Sequence, residues 1–499
     1  MALAPPNDFA ATPRGTYRPP APVPRDKPMG PIALAWALAT NPLECWTREH
    51  FEKPIVRVGL PIGEAVLVHE PGAIRRVLLD NTANYRKDAL QRRVLSAGLG
   101  DGLLSAEGEQ WQVQRRTLAP MFARRTVTNF APAMMSAADA LVDRWSQRGD
   151  GQIVDVAAEM TRTTLDVLER TIFSDGLGCD AERFRIAMGT YFNTLGRIDP
   201  LDLLGAPAVV PRIGRWRVRA TLRFFDTAID SIIATRRRRL AEQFGNAPKD
   251  ILTLLLDALD PATGKRMTLA EVRSNILTFI TAGHETTANS LSWSLFLLSQ
   301  SASWRERIQA EADREIGGPV EGLAERLVET RSVVEEAIRL YPPIAAISRV
   351  AIGADELAGQ AIKAGSIVVI APYVLHRHRG LWNSPDAFDP ERFVGDSRKG
   401  IDRFAYLPFG TGPRTCIGSG FALQEATILL AAIMHHFSLR MVPDHVVWPI
   451  LRVTLRLAGG LPMTVERRQS GGRNGVVSGL STLPQPQRSP EQVPTIQNV

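Results

Sequence analysis

The run from Thr268 to Gln300 constrains the fold most, because it reads as a single helix about 50 Å long at 1.5 Å per residue. A rod of that length crosses the whole molecule, so everything else must be built around it. A capping box marks its start: Thr268 can cap the first turn, and Glu271 stands at the third position. Helical periodicity dominates from Gly72 to Pro342, and a second apolar helix is predicted from Ile417 to about His436. Ile55–Leu60 and Ala65–His69 alternate around Pro61, Ile62 and Gly63 as a strand pair, and Ser348–Ile352 and Ser366–Pro372 read as further strands. The predicted class is mainly α with small β-sheets.

The chain has 499 residues, enough for roughly three ordinary domains or one large one. No internal repeat or interior low-complexity linker divides it, so residues 31–468 are read as a single large domain. Nine prolines fall in the first 31 residues, which makes 1–30 an extended leader. Residues 469–499 are rich in Gly, Ser, Pro and Gln and are expected to be disordered. With 44% apolar and 22% charged residues, the chain as a whole is globular. No stretch approaches the roughly 18 consecutive apolar residues of a spanning helix, and no secretory signal precedes the body, so a cytoplasmic protein is expected. The net charge of +7 is spread along the chain. Its densest run, Arg236–Arg239, reads as a solvated helix end rather than a nucleic-acid surface. Three cysteines, Cys45, Cys179 and Cys416, are too few and too scattered for a disulfide framework.

The sharpest motif is Phe409-Gly410-Thr411-Gly412-Pro413-Arg414-Thr415-Cys416-Ile417-Gly418. Its six fixed positions, F-G-x-G-x-R-x-C-x-G, would arise by chance in roughly one chain in a few hundred thousand. Glycines at this spacing let a loop fold tightly beneath a flat ligand. Cys416 then stands at the entry to a helix, where the N-terminal dipole favours a thiolate, and Arg414 can pair with an anionic edge of the ligand.

This segment resembles the haem-binding loop of the cytochrome P450 family, and further motifs of that family lie upstream in order. Glu336-Ala337-Ile338-Arg339 matches E-x-x-R, with Glu336 and Arg339 on one helix face. Pro390-Glu391-Arg392-Phe393 resembles the segment whose arginine completes a buried Glu–Arg–Arg cluster, so Glu336, Arg339 and Arg392 are read as structural supports. Ala282-Gly283-His284-Glu285-Thr286-Thr287 resembles the oxygen-binding motif of the long helix. Small Ala282 and Gly283 leave room there, while Glu285 and Thr286 supply the acid and the alcohol of a short proton relay. Trp111 and Arg115, with Arg349 and Arg414, match residues that reach the haem propionates. His376-x-His378 could pair on a metal, but no third ligand is apparent.

The resemblance implies a cytochrome P450 fold and haem b held by Cys416 as the sole protein ligand, in a loop that includes Phe409, Gly410 and Gly418. It implies a monooxygenase that inserts one atom of O2 into an apolar small molecule. Electrons would come from NAD(P)H only indirectly, through a ferredoxin or flavodoxin and its reductase, since no such module follows the haem domain. Arg116, Arg124 and Arg125 are basic residues that could steer an acidic donor. A peroxygenase, an isomerase or a haem-based sensor are the alternatives; the acid–alcohol pair speaks against all three. Leu104, Phe279, Ala282, Ile344 and Leu461 are the residues that the resemblance places over the haem. The wording around Thr278–Thr287 and Phe421–Thr427 resembles the fatty-acid-hydroxylating, eukaryote-like branch, which puts a fatty acid or lipid slightly ahead of a terpenoid, with Arg92 and Arg93 as candidate cations at the channel mouth.

Overall fold

The computed structural model describes residues 17–60, 63–88, 91, 100–174, 183–184, 186–187, 189–190, 213–242, 248 and 250–468. The predicted tail, Cys179, Arg92 and Arg93 lie outside the described residues. The helices that matter here are α1 (Gly108–Leu118), α2 (Ala131–Ser146), α3 (Val156–Leu168), α4 (Ile213–Glu242), α5 (Leu269–Ser299), α6 (Ala302–Glu315), α7 (Val328–Leu340) and α8 (Ser419–His436).

Helix α5 is the predicted rod. Thr268 Oγ1 accepts from the Glu271 N–H, and the Glu271 carboxylate accepts from the Thr268 N–H and hydroxyl, so both halves of the capping box are formed. Beyond its first turn most of its apolar residues are buried, Ile276, Ile280, Leu291, Trp293 and Leu297 among them. A helix apolar all round belongs in a core. Its serines fit there because Ser290, Ser292 and Ser294 each donate to the carbonyl four residues back. Helices α3, α7 and α8 pack on it, and α8 also rests on α2 and α6.

The main sheet has the order β1-β2-β8-β5-β3, from Ile55–Leu60, Gly63–Val68, Ile367–Ile370, Ile347–Ala351 and Tyr85–Arg86. β2 and β8 run parallel and the other neighbours antiparallel; opposite Arg349 stands Val368. A three-stranded sheet joins β4 (Gln152–Asp155), β12 (Pro462–Arg467) and β9 (Phe437–Met441). Two hairpins complete the set: β6 (Asp355–Leu357) with β7 (Gln360–Ile362), and β10 (Pro449–Leu451) with β11 (Leu455–Leu457). Strands β3 and β4 lie within the region dominated by helical periodicity, and the strand predicted to Pro372 ends at Ile370, with Pro372 opening a short helix. The described part of the leader, 17–30, has no helix and forms one bridge, Arg25 with Thr47, and the carbonyl of Pro20 accepts from the Tyr341 hydroxyl at 2.7 Å.

A buried ionic strut fixes the segment that leads to Cys416. Glu336 and Arg339 are both 0% exposed and pair at 2.6 Å. Arg339 uses all five of its N–H groups: two on Glu336 and three on the carbonyls of His376, Pro385 and Ala387. Arg392 adds a looser contact to Glu336 at 3.6 Å, and Glu336 also accepts from the Asp389 N–H. His376 extends the strut. Its Nε2 accepts from the Leu407 N–H at 2.8 Å, and its Nδ1 lies 3.1 Å from the Arg339 carbonyl. Burial and nearby arginines hold its pKa down at about 3, so the ring is a neutral Nδ1–H tautomer. Both nitrogens are thus occupied, and the metal reading of His376 and His378 falls; no metal-ligating cluster occurs among the described residues.

Replacing Glu336 by Gln leaves two buried guanidinium groups without their shared counter-charge. Urea unfolding of Glu336→Gln is expected to show a loss of about 3 kcal/mol. A midpoint equal to that of the parent protein would remove the strut from the account of stability.

Candidate active site

The Cys416 loop takes its shape from two glycines and one backbone bond. Gly410 and Gly412 have φ of +67° and +75°, a left-handed conformation that other residues adopt only with strain. At Gly412 the constraint is doubled, since a Cβ there would lie 1.8 Å from the Leu78 carbonyl oxygen. The Cys416 N–H donates to the Phe409 carbonyl at 2.8 Å and closes the loop. Helix α8 begins at Ser419, three residues beyond Cys416, with Gly418 as its cap.

Cys416 itself is solvent-accessible in a loop whose residues are half-buried or exposed, while protein crowds its thiol. Burial pushes its thiol pKa up; the Gly418 N–H and the Arg115 guanidinium pull the other way and do not prevail. The expected helix-end stabilisation is therefore outweighed by desolvation. A metal ion on the sulfur would replace the proton and supply the missing positive charge.

Cations gather beside the loop. Arg414 stacks 4.2 Å above the Trp111 ring and lies 3.0 Å from Glu107. Lys87, whose side chain is 6% exposed, lies 3.3 Å from the same carboxylate and donates to the Leu104 carbonyl. Burial, with Arg414 and Arg349 nearby, holds the Lys87 pKa down at about 8 against the opposing pull of Glu107. Burial likewise lowers Arg349, Arg414 and Arg115. A cavity of about 300 Å³ opens against Trp111, Glu107, Arg349 and Arg414. Lys87, Arg349 and Arg414 face Glu107 and, beside Arg349, Asp88, so three cations meet two carboxylates and the site retains positive charge that suits the carboxylates of a haem. Together with the accessible thiol, this donor set fits the cofactor that the sequence implies.

The third component is the middle of α5. Ala282 is exposed and Gly283 and Thr286 are half-buried, in the middle of a helix most of whose residues from Asn275 to Leu298 are buried. A Cβ on Gly283 would meet Leu168 of α3 at 3.2 Å, so glycine also permits the close packing of these two helices. Thr286 donates to the Ala282 carbonyl at 2.7 Å, as expected of a threonine that loosens a helix locally. Phe122 links this stretch to the cysteine loop: its ring meets Phe279 edge-on at 5.2 Å and lies 4.0 Å from where a Gly418 Cβ would stand. On the other side, Asn275 accepts from the Leu103 N–H and donates to Gln114, which pins the Leu104 loop and α1 to α5.

Burial of the Glu285 carboxyl raises its pKa, opposed by a Thr454 hydrogen bond and by Arg456. Of the predicted lining residues, Leu104 and Ile344 are exposed at 37% and 40%. Phe279 is buried against Phe122. Leu461 is 0% exposed, its N–H donates to Asp155, and it belongs to the main hydrophobic core. Of the three basic residues expected to meet a donor, Arg116 is committed to the buried Asp260 at 3.1 Å, whereas Arg124 and Arg125 are exposed. Lys87, Glu107, Asn275, Thr454, Arg456 and the structural role of His376 escaped the sequence reading. Only Glu107, four residues before Trp111, had a local spacing that could have pointed to it.

The family model described as Cytochrome P450 matches residues 29–462. Cyclooctatin synthase of Streptomyces melanosporofaciens is 31% identical over 442 residues, which cover 87% of this chain and 93% of that protein. Cyclooctat-9-en-7-ol 5-monooxygenase of the same organism is 31% identical over 440 residues, covering 87% and 92%. Among solved structures, the cytochrome P450DA haem domain superposes with a TM-score of 0.78 at 26% identity, over 90% of this chain and 98% of that one. No helix among the described residues is long and apolar enough to cross a membrane. With its motifs, its fold and these relatives in agreement, the chain belongs to the cytochrome P450 family.

Proposed function

We propose that the protein is a haem-thiolate monooxygenase that inserts one atom of O2 into a terpenoid, with electrons delivered by a separate ferredoxin or flavodoxin and its reductase. The observation that carries this reading is the combination of an accessible thiol at Cys416 with a cation cluster short of negative charge. Bound there, haem b would supply the iron chemistry that activates oxygen. Cys416 would hold the metal, and Trp111, Arg115, Arg349 and Arg414 would hold the propionates.

The chain's own work is to orient, exclude and protonate. Leu104 and Ile344 offer apolar surface to an uncharged part of the substrate. Ala282 and Gly283 leave space on the distal helix, and Thr286 offers a hydroxyl beside it. Glu285, whose pKa is raised by burial, is suited to carry a proton near neutral pH. An acid and an alcohol adjacent in the sequence, Glu285 and Thr286, favour oxygen activation over peroxide-driven, isomerising or sensing roles. For the substrate, a relative named for a cyclic alkenol supports a ring system over the linear lipid that the sequence wording suggested. The two accessible lining residues accept either.

Three measurements test this. The reduced carbon monoxide complex should show the red-shifted Soret band of thiolate ligation, and Cys416→Ala should abolish it; a band that survives the substitution would exclude Cys416 as the ligand. Glu285→Gln and Thr286→Ala should keep their haem while releasing more peroxide per product formed, by about tenfold or more; unchanged coupling in both would take these residues out of proton delivery. Titrating the ferric protein with a terpenoid series and a fatty-acid series should shift the haem absorption with the terpenoids, and a shift confined to fatty acids would reverse the substrate assignment.

A further inference from the structure

Residues 104–107 turn three acceptors toward two cations. Lys87 Nζ donates to the Leu104 carbonyl at 2.5 Å and to the Ala106 carbonyl at 3.5 Å. Arg414 Nη1 donates to the Ala106 carbonyl at 3.3 Å, and its guanidinium stacks 4.2 Å above the Trp111 ring. The third acceptor is a charge: Glu107 Oε1 lies 3.3 Å from Lys87 Nζ and 3.0 Å from Arg414 Nη2. Without that carboxylate both cations would keep their places, because carbonyls and an aromatic face already hold them. Glu107 therefore contributes charge rather than position. Its side chain is 30% exposed, and it lines the same cavity as Arg349 and Arg414. The other acid of the cluster is placed differently. Asp88 accepts from the Ser348 hydroxyl and the Gln91 N–H, and it is not among the residues that line this cavity.

We propose that Glu107 is a resident counter-ion of this cavity, which competes with an incoming carboxylate for Arg414 and so sets how readily a haem is released. This rests on the reading of the cavity as the seat of the haem carboxylates. A ligand carboxylate that reaches Arg414 meets an anion already paired with it, and two like charges on one guanidinium repel each other. In the exchange no covalent bond is made or broken and no proton moves. Arg414 turns from Glu107 to the ligand, and Glu107 stays with Lys87. Lys87 suits that part, since its side chain is 6% exposed and a buried ammonium without a counter-charge is costly. The three cations thus hold a ligand carboxylate less tightly than they would without Glu107.

The test uses the haem-loaded full chain, with transfer of haem to excess apomyoglobin followed by absorbance. Glu107→Gln keeps the size of the side chain and removes its charge, so transfer should slow by about fivefold, the effect of losing one partly screened repulsion. Glu107→Asp keeps the charge and should stay closer to the parent rate than Glu107→Gln does. The dimethyl ester of haem, exchanged into the same proteins, carries no carboxylate, and its loss should be equal in parent and Glu107→Gln. A merely structural role for Glu107 has the opposite sign, because a loosened segment releases haem faster. Equal or faster transfer from Glu107→Gln, a Glu107→Gln chain that retains no haem, or an equal slowing with the ester would each overturn the proposal and leave the functional reading standing. A parent protein that holds no haem would overturn both.

Discussion

The structure around the site depends on the burial of one guanidinium. Arg339 is fully enclosed, and an enclosed cation is tolerated only if its charge is balanced and its donors are all used. Glu336 meets the first demand, and the carbonyls of His376, Pro385 and Ala387 meet the second. Three points of an otherwise irregular segment are thereby fixed in space by a single side chain. His376 carries that position on to Leu407, two residues before the motif that holds Cys416. The cysteine loop thus inherits its place from a helix that contributes nothing to the cavity itself.

Near the cysteine loop the protein holds two kinds of frustrated group. One is the Cys416 thiol with its raised pKa, and the other is a set of cations with depressed pKa values, of which Arg349 and Arg414 line the cavity. Each lacks what a metal-bearing dianion carries: positive charge for the sulfur and negative charge for the cluster. Binding would relieve both at once, so part of the fold's stability belongs to the loaded protein rather than to the chain alone.

What could be read from the sequence was what short spacing determines. The capping box at Thr268 and Glu271, the ion pair at Glu336 and Arg339, and the glycine spacing of the cysteine loop each act within a few residues, and each has its predicted geometry. Features set by distant partners were not legible. Strand β4 exists because β12 returns to pair with it, and neither segment announces this alone. Lys87 and Glu107 are ordinary loop residues until the fold places Arg414 beside them. The neighbour of Phe279 is Phe122, a contact that no local spacing announces, and Leu461 is fully enclosed.

The close approach of Gly412 to Leu78 bears on the order of assembly. Leu78 follows the first strand pair of the chain, and Gly412 lies near its far end, so the contact that shapes the loop is among the most non-local in the molecule. Contacts of such separation form late, after the intervening chain has paid its closure entropy. A ribosome-bound chain that has already completed β1, β2 and α5 therefore still lacks a cofactor cradle. Haem capture belongs to the final stage of maturation, when the two ends of the body meet.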